Sequence, residues 1–389
     1  MADGTVSVQD DGAGPSEPSS STPATRKQVQ VVGAPPPFYG TKTNGKSKEE
    51  GEESDVDEEE EEDDTGEQQQ DEDGEEEIDD ADLLSAFEED TDVIDLTHLR
   101  LSSKSLRKMP LQKFIKLQRL VLRQNEISKF TEKDIGSLHE LQELDMYDNS
   151  LEKTYGEVLK GCPNLETLDL SFNAIRHISH LSHLSKLHTL YLVQNKIAKV
   201  RPDDLAAPLG LTLKSLELGS NRLRSLENIG HLTQLEELWV GKNKITKLEG
   251  LNDLVNLRIL SIQSNRITKL ENLDKLHNLE ELYLSHNGLE RIEGLENNIK
   301  LTTLDIGANK VKKIENVEHL KNLEEFWAND NQIETINQLE KQLGPKLCPA
   351  LNTVYLEGNP AQRTEGAHYR FKVKLALPQI KQIDATFVR

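Results

Sequence analysis

Both tryptophans of this 389-residue chain, Trp239 and Trp327, stand two residues after a glutamate, Glu237 and Glu325. Tyr283 follows Glu281 at the same interval. A ring beside a carboxylate, with no nucleophile or base in step with it, is suited to recognition. The ring supplies contact area, and the carboxylate selects a basic partner. The residues that catalysis needs are not assembled in the sequence. There is no Gly-rich phosphate loop and no nucleophile elbow. His177, His180, His183 and His188 have a spacing that could catch a metal, but no thiol or carboxylate completes the set. Exposed histidines are the better reading, so neither a cofactor nor an enzymatic activity is expected.

The elements that position these residues follow from a repeat. The unit L-x-x-L-x-L-x-x-N-x-I/L recurs from Leu96 onward, with clear copies at Leu117–Ile127, Leu165–Ile175, Leu235–Ile245, Leu257–Ile267 and Leu279–Leu289. Aligned on their first leucine, twelve copies start at Leu96, Leu117, Leu141, Leu165, Leu187, Leu213, Leu235, Leu257, Leu279, Leu301, Leu323 and Leu351. Phe326 and Val354 replace leucine at the fourth position, and Lys104 of the first copy replaces asparagine at the ninth. The segment x-L-x-L-x alternates apolar and polar, which predicts a short strand with one buried face. The ninth-position Asn is expected to turn inward and satisfy backbone groups where the chain leaves the strand, forming a ladder. Apolar residues at positions eleven, fourteen, seventeen and twenty (Ile267, Leu270, Leu273 and Leu276 in one copy) fill the core from the other side. A 22-residue unit leaves room there only for a tight 3₁₀-like turn or a short helix. Such a unit is a leucine-rich repeat. The expected fold is an α/β solenoid with a parallel concave sheet, a convex side of 3₁₀ or short-helix segments, and a disordered acidic N-terminal tail. Longer spacings mark insertions near Pro202 and Pro208, and near Pro345 and Pro349.

Charge divides the chain along the same line. The formal net charge is −23, yet Glu49 to Asp95 carry 28 Asp and Glu with no Lys or Arg between Lys48 and Arg100. Residues 96–389 hold 41 basic and 37 acidic groups, so the acidity belongs to the front. Residues 1–48, rich in Pro, Ser and Gly, are expected to be disordered, as is the acidic segment 49–77. Ile78, Leu83, Leu84 and Phe87 suggest an N-terminal cap over 78–95. The repeats then run over 96–361, and a C-terminal cap over 362–389 is built on an amphipathic helix from Tyr369 to Leu377 followed by Ile380, Ile383 and Phe387. Two cysteines, Cys162 and Cys348, cannot supply the disulfide-capped framework of a secreted repeat protein. No signal peptide and no membrane-length apolar run is seen, which leads to the expectation of an intracellular, soluble protein without a membrane partner.

Strand positions three and five point outward on the concave side. In copies two to twelve eight of these are acidic (Glu143, Asp145, Asp169, Glu217, Glu237, Glu281, Asp305 and Glu325) and five aromatic (Tyr191, Trp239, Tyr283, Trp327 and Tyr355), with Arg119 alone basic. That composition is expected of a docking face for a basic protein surface. The competing reading is that the rings merely shield the sheet by cross-strand stacking. Thr or Val would serve that purpose, so the tryptophans favour docking. Position thirteen is mostly basic (Lys129, Lys153, Lys199, Lys247, Lys269, Arg291, Lys313). Glu at position fifteen lies close by, so a self-paired solvated ridge is expected rather than a nucleic-acid site.

The Ile/Leu–Glu pairs at positions fourteen and fifteen (Leu248-Glu249, Leu270-Glu271, Ile292-Glu293, Ile314-Glu315) resemble those of the Sds22-like class of repeats. Leu282-Tyr-Leu-Ser-His-Asn287, Gly294-Leu-Glu-Asn-Asn298 and the ending Gln382-Ile-Asp-Ala-Thr-Phe-Val388 extend the resemblance over 96–389. It implies a regulatory subunit of nucleus and cytoplasm that binds the catalytic subunit of protein phosphatase 1, with room for a further phosphatase inhibitor in a ternary complex. Carried over by repeat position, the family's binding residues fall on Asp169, Tyr191, Glu217, Trp239, Asp305, Glu325, Trp327 and Tyr355. Positions 191 and 239 resemble Phe in the family, and Tyr and Trp keep the ring. The short basic-x-Val-x-Phe phosphatase motif is absent, since Lys27-Gln-Val-Gln-Val31 ends in Val. Docking must therefore use the solenoid face. The alternative reading is a nuclear structural or ribonucleoprotein-associated repeat scaffold.

Overall fold

The computed structural model describes residues 82–388. The segments 1–48 and 49–77, and Ile78 of the expected cap, lie outside the described residues. Fourteen strands among the described residues form one sheet in strict chain order. Twelve of them have three residues each, from β1 (Val93–Asp95), β2 (Arg119–Val121) and β3 (Glu143–Asp145) to β12 (Thr353–Tyr355). Neighbours pair in parallel through β13 (Gln382–Ile383), and β14 (Thr386–Phe387) turns back antiparallel. Strand length follows from the repeat: each three-residue strand spans positions three to five, with position four turned into the core and its two neighbours on the opposite face.

Each coil buries the residues its pattern assigns. Leu260, Ile262, Ile267, Leu270, Leu273 and Leu276 of one copy are at most 1% exposed. The ninth-position ladder runs as expected. Asn265 Nδ2 donates to the carbonyls of Val240 (3.0 Å) and Ile262 (3.2 Å), and its Oδ1 accepts from Ile245 N (3.0 Å). In the 22-residue copies the convex side consists of single i→i+3 turns, such as Leu276 N to Leu273 O at 3.0 Å. Helical segments occupy longer copies, as at Gly156–Leu159 and Leu339–Leu343.

The copy read from Leu96 has a different register. Val93 pairs with Arg119 and Asp95 with Val121, so Leu96 holds the sixth position, not the first. The backbone agrees. The eighth residue is left-handed in successive copies (Gln194, Ser220, Lys242, Ser264, His286), and His98, φ 61°, takes that place in the first. Lys104 is thus no exception to the Asn column. The ninth position is Leu99, and Asn125 of the next copy accepts from Leu99 N and Leu101 N, both at 3.0 Å.

Position sixteen is also left-handed, alternating Asn228, Gly250, Asn272, Gly294 and Asn316. Each Asn donates its amide to a carbonyl of the previous coil, as Asn272 does to Leu248 O at 2.6 Å. At Gly250 a Cβ would stand 2.2 Å from the matching carbonyl of Leu226, so only glycine fits there.

At the N-terminal end a 3₁₀ turn, Asp82–Ala86, buries Leu84 while Leu83 and Phe87 pack against the core. At the other end the helix Tyr369–Ala376 buries Tyr369 and Val373, followed by Leu377, Ile380 and Ile383. Phe387, expected with them, is instead 75% exposed, because it lies on the antiparallel edge strand beyond the last coil.

Position twenty, or its equivalent three residues before the next leucine, is a core site. Both cysteines fill it, Cys162 and Cys348, each fully buried; burial pushes their thiols up to about 12 and about 11. Asn298 fills it too, at 0% exposure. Its Nδ2 donates to Leu273 O (2.9 Å) and Leu276 O (3.0 Å), but its Oδ1 has no partner. Those two carbonyls already accept from Leu276 N and Leu279 N. Asn298→Leu removes an orphaned acceptor and leaves none behind, so it is expected to stabilise the fold by about 1–2 kcal/mol. Chemical denaturation of the two proteins checks this. A less stable leucine variant would show that the amide bonds outweigh the buried oxygen.

Candidate docking face

The eight carried-over positions lie on one face of the sheet, on β4 (Thr167–Asp169), β5 (Thr189–Tyr191), β6 (Ser215–Glu217) and β7 (Glu237–Trp239), then on β10 (Thr303–Asp305), β11 (Glu325–Trp327) and β12. Between the two groups run β8 (Ile259–Ser261) and β9 (Glu281–Tyr283). Strand register makes position five a row of direct neighbours: Asp169, Tyr191, Glu217, Trp239, Ser261, Tyr283, Asp305, Trp327 and Tyr355. Adjacent members are about 4.8 Å apart, the spacing of hydrogen-bonded strands.

The rings are held by one another and by the glutamates. Trp239 and Tyr283 stack across the small Ser261, with centroids 6.3 Å apart and planes at 21°. Trp327 meets Tyr355 edge-on at 5.4 Å. Trp327 Nε1 donates to Glu325 Oε2 (3.0 Å), Tyr283 Oη donates to Glu281 Oε2 (2.6 Å), and Gln382 Nε2 donates to Tyr355 Oη (2.7 Å). Tyr191, Trp239, Trp327 and Tyr355 are half-buried. Tyr283 and Asp305, expected to be open to solvent, are 8% and 3% exposed because the neighbouring side chains cover them.

The carboxylates divide by length. Each position-five Asp turns back onto its own chain and accepts from the backbone N–H two residues on: Asp145 from Tyr147 (3.0 Å), Asp169 from Ser171 (2.8 Å), Asp305 from Gly307 (2.9 Å). Glu217 has one methylene more, and no donor among the described residues reaches its carboxylate. Burial, with Asp169 and Glu237 nearby, pushes Glu217 up to about 7. Burial raises Asp145 to about 6, offset in part by Tyr147 N–H and Arg123. Asp169 and Asp305 are raised by burial too.

A raised carboxyl makes stability fall with rising pH, because the folded state holds a proton that the unfolded chain has released. For Glu217 that loss runs from its ordinary 4.5 to about 7. Glu217→Gln is therefore expected to flatten this limb and to be more stable than the parent at pH ~8, by about 1–2 kcal/mol once the screening of a half-exposed group is allowed for. Melting temperatures from pH ~4.5 to ~8 check it. Parallel profiles would place the charge in solvent.

An aromatic cluster at one end of the face has no counterpart in the outward-position pattern. Tyr147 and Phe172, from positions seven and eight of successive copies, pack at 4.7 Å. Arg123 lies 4.3 Å over the Tyr147 ring and pairs with Asp145 at 3.4 Å. The sequence signal is present, rings directly after the strand in adjacent copies, but the alternation of strand residues does not extend that far.

The other candidates pair among themselves. Lys269 meets Glu271 (3.5 Å) and Arg291 meets Glu315 (3.0 Å) on the position-thirteen ridge. His180 lies 3.0 Å from Glu157, and His177 lies 3.3 Å from Arg201. Among the described residues no three His, Cys, Asp or Glu side chains are grouped to hold a metal, and no helix is long and apolar enough to cross a membrane.

The fold is that of a leucine-rich-repeat solenoid. The family model "Leucine Rich repeats (2 copies)" matches residues 212–253, 255–297, 277–320 and 299–341, and "Leucine rich repeat" matches 148–197. Solved structures share the fold: a leucine-rich-repeat protein of Leptospira interrogans (23% identity, TM-score 0.57, 73% of this chain and 81% of that one) and an internalin of Listeria monocytogenes (20%, 0.58, 79% and 89%). At the level of individual proteins, the chain is similar to protein phosphatase 1 regulatory subunit SDS22 of Saccharomyces cerevisiae, 43% identical over 99 residues, covering 25% of this chain and 28% of the relative. It is 63% identical over 38 residues to the subunit of that name in Schizosaccharomyces pombe (10% of this chain, 11% of the relative). It is 63% identical over 41 residues to protein phosphatase 1 regulatory subunit 7 of Xenopus tropicalis (10% and 11%). The matched segments thus span about a quarter or less of these relatives' length. They support the resemblance to Sds22-like repeats.

Proposed function

We propose that the chain is a non-catalytic regulatory subunit that binds the catalytic subunit of protein phosphatase 1 through its concave face. By holding that subunit it controls activity, maturation or location, in nucleus and cytoplasm, and leaves room for a phosphatase inhibitor as a third member. The observation that carries this reading is the position-five row. Both tryptophans of the chain stand half-buried on one sheet face among carboxylates, fixed by Tyr283 and Tyr355. Such pre-set rings lose little entropy on docking, and a face rich in carboxylates with few cations favours a basic surface. The relatives' name supplies the partner's identity. The experiment is a binding titration of the full chain against purified catalytic subunit, with a basic ribonucleoprotein as comparison. A saturable complex with the phosphatase alone is expected. No complex, or equal binding to both, would remove the proposal.

A further inference from the structure

Just past the ends of the strands, outside the concave row, four successive coils carry the same charge at the same place. Position ten is Lys196, Arg222, Lys244 and Arg266 in turn. Each is held in step by its own backbone N–H, which donates to the position-eleven carbonyl of the preceding coil at 2.8 Å. The four residues therefore form a column with one coil, ~4.8 Å, between neighbours. Ala174 before them and Gly288 after them limit it to four coils, about 14 Å. Around it, residues 194–199, 220–225, 242–247 and 264–269 hold nine Lys and Arg and no Asp or Glu.

Elsewhere the solenoid offsets its cations. Arg119 meets Glu143, Lys214 meets Glu236, Arg258 meets Glu280 and Arg291 meets Glu315, each acid one coil on. In the column the residue one coil on is another cation. Lys196, Arg222 and Arg266 are exposed, and their charged groups meet no partner among the described residues. Like charges on adjacent strands repel, and an anion lying along the column would remove that cost. A column of exposed side chains suits a polymer better than a small ion, because it has no walls. Its setting favours a polypeptide over a nucleic acid. These four stretches contain no aromatic ring on which a base could stack, and about 14 Å is the span of four or five residues of extended chain.

We propose that the column of Lys196, Arg222, Lys244 and Arg266 is a second docking site, which takes an extended acidic segment of a partner protein, a run of four or more Asp or Glu. It lies off the concave row, so the inference does not depend on the phosphatase reading.

The test titrates the full chain, at ~50 mM salt so that screening is weak, with fluorescein-labelled hexaglutamate. Hexaglutamine and a single-stranded thymidylate hexamer with the same label are the comparisons, and anisotropy is the readout. Saturable binding of hexaglutamate is expected, at least tenfold tighter than either comparison. The triple variant Lys196→Gln, Arg222→Gln, Arg266→Gln should weaken it tenfold or more while melting as the parent does. A second triple variant, Lys129→Gln, Lys321→Gln, Lys346→Gln, removes the same charge from exposed sites elsewhere and should bind within twofold of the parent. Equal weakening by the two variants would reduce the effect to net charge and overturn the inference. Tighter binding of the thymidylate hexamer through the same three residues would make the column a nucleic-acid site, and overturns it too. So does the absence of saturable binding to hexaglutamate.

Discussion

Trp327→Ala and Trp239→Ala are each expected to weaken binding of the phosphatase catalytic subunit about thirtyfold or more, ~2 kcal/mol, with the fold intact. The basis is where the rings sit. Neither belongs to the buried core, so truncation opens no internal cavity of the sort that costs several kcal/mol. What each variant loses inside the free protein is small. Trp327 gives up an edge-on contact with Tyr355 and a bond to Glu325, and Trp239 gives up its stack on Tyr283. An aromatic pair contributes about 0.5–1.5 kcal/mol, and the Glu325 carboxylate freed by Trp327→Ala exchanges its bond for one to water. In a complex the same ring is a desolvated anchor, and its loss leaves a hole that the partner cannot close. Affinity by titration and melting by circular dichroism, measured on the same preparations, separate the two roles. Unchanged affinity moves docking off this face. Lost affinity with a collapsed melting transition shows that the rings shield the sheet instead.

Periodicity made the scaffold legible. A leucine every third or second residue identifies the strand, its buried side and its outward side, and parallel stacking of like copies brings positions far apart in sequence side by side. The row from Asp169 to Tyr355 could therefore be placed before any coordinate was known. Periodicity fails where a copy lacks its marker. The first coil has Leu99 in place of the ladder Asn, and the leucine nearest the pattern, Leu96, drew the register five residues off. The left-handed eighth residue, shared by His98, marks the true register, but backbone conformation is invisible in a position that accepts Gln, Ser, Lys and His alike.

The face itself was legible in composition and not in chemistry. From sequence Asp169, Glu217 and Asp305 are three carboxylates in one row. In the structure two of them are turned back by a short side chain onto the turn that follows the strand, and the third is not. One methylene decides whether a carboxylate holds its own loop or faces a partner. Likewise Tyr283 reads as an exposed ring but serves as the support that fixes Trp239, which only ring geometry reveals. The Tyr147–Phe172 pair lies past the strand, where no alternation rule assigns a direction.

Asn265→Ala is expected to destabilise the fold by about 1–3 kcal/mol, while Lys269→Ala, four residues away, leaves it within ~0.5 kcal/mol. The Asn265 side chain ties two coils together at the point where the strand ends. Its amide donates to Val240 O of the preceding coil and to Ile262 O of its own, and its oxygen accepts from Ile245 N. All three partners are main-chain groups of residues with 0% exposure, and Asn265 itself is only 8% exposed, so water cannot freely replace the lost bonds. Alanine orphans the Ile245 N–H and leaves each carbonyl with a single ladder amide, Asn243 on Val240 O and Asn287 on Ile262 O, in a region of low dielectric where an unmade bond costs more than the bond once contributed. Lys269 differs in each respect. Its side chain is 60% exposed and meets Glu271 at 3.5 Å, a surface pair that contributes little. Because each coil rests on its neighbours, the Asn265 defect weakens the interfaces on both sides and should broaden unfolding as well as shift it. Urea titration of the two variants beside the parent reads both quantities. Equal midpoints for the two would mean that the ladder contributes no more than the ridge, and the account of how these coils are tied together would have to be given up.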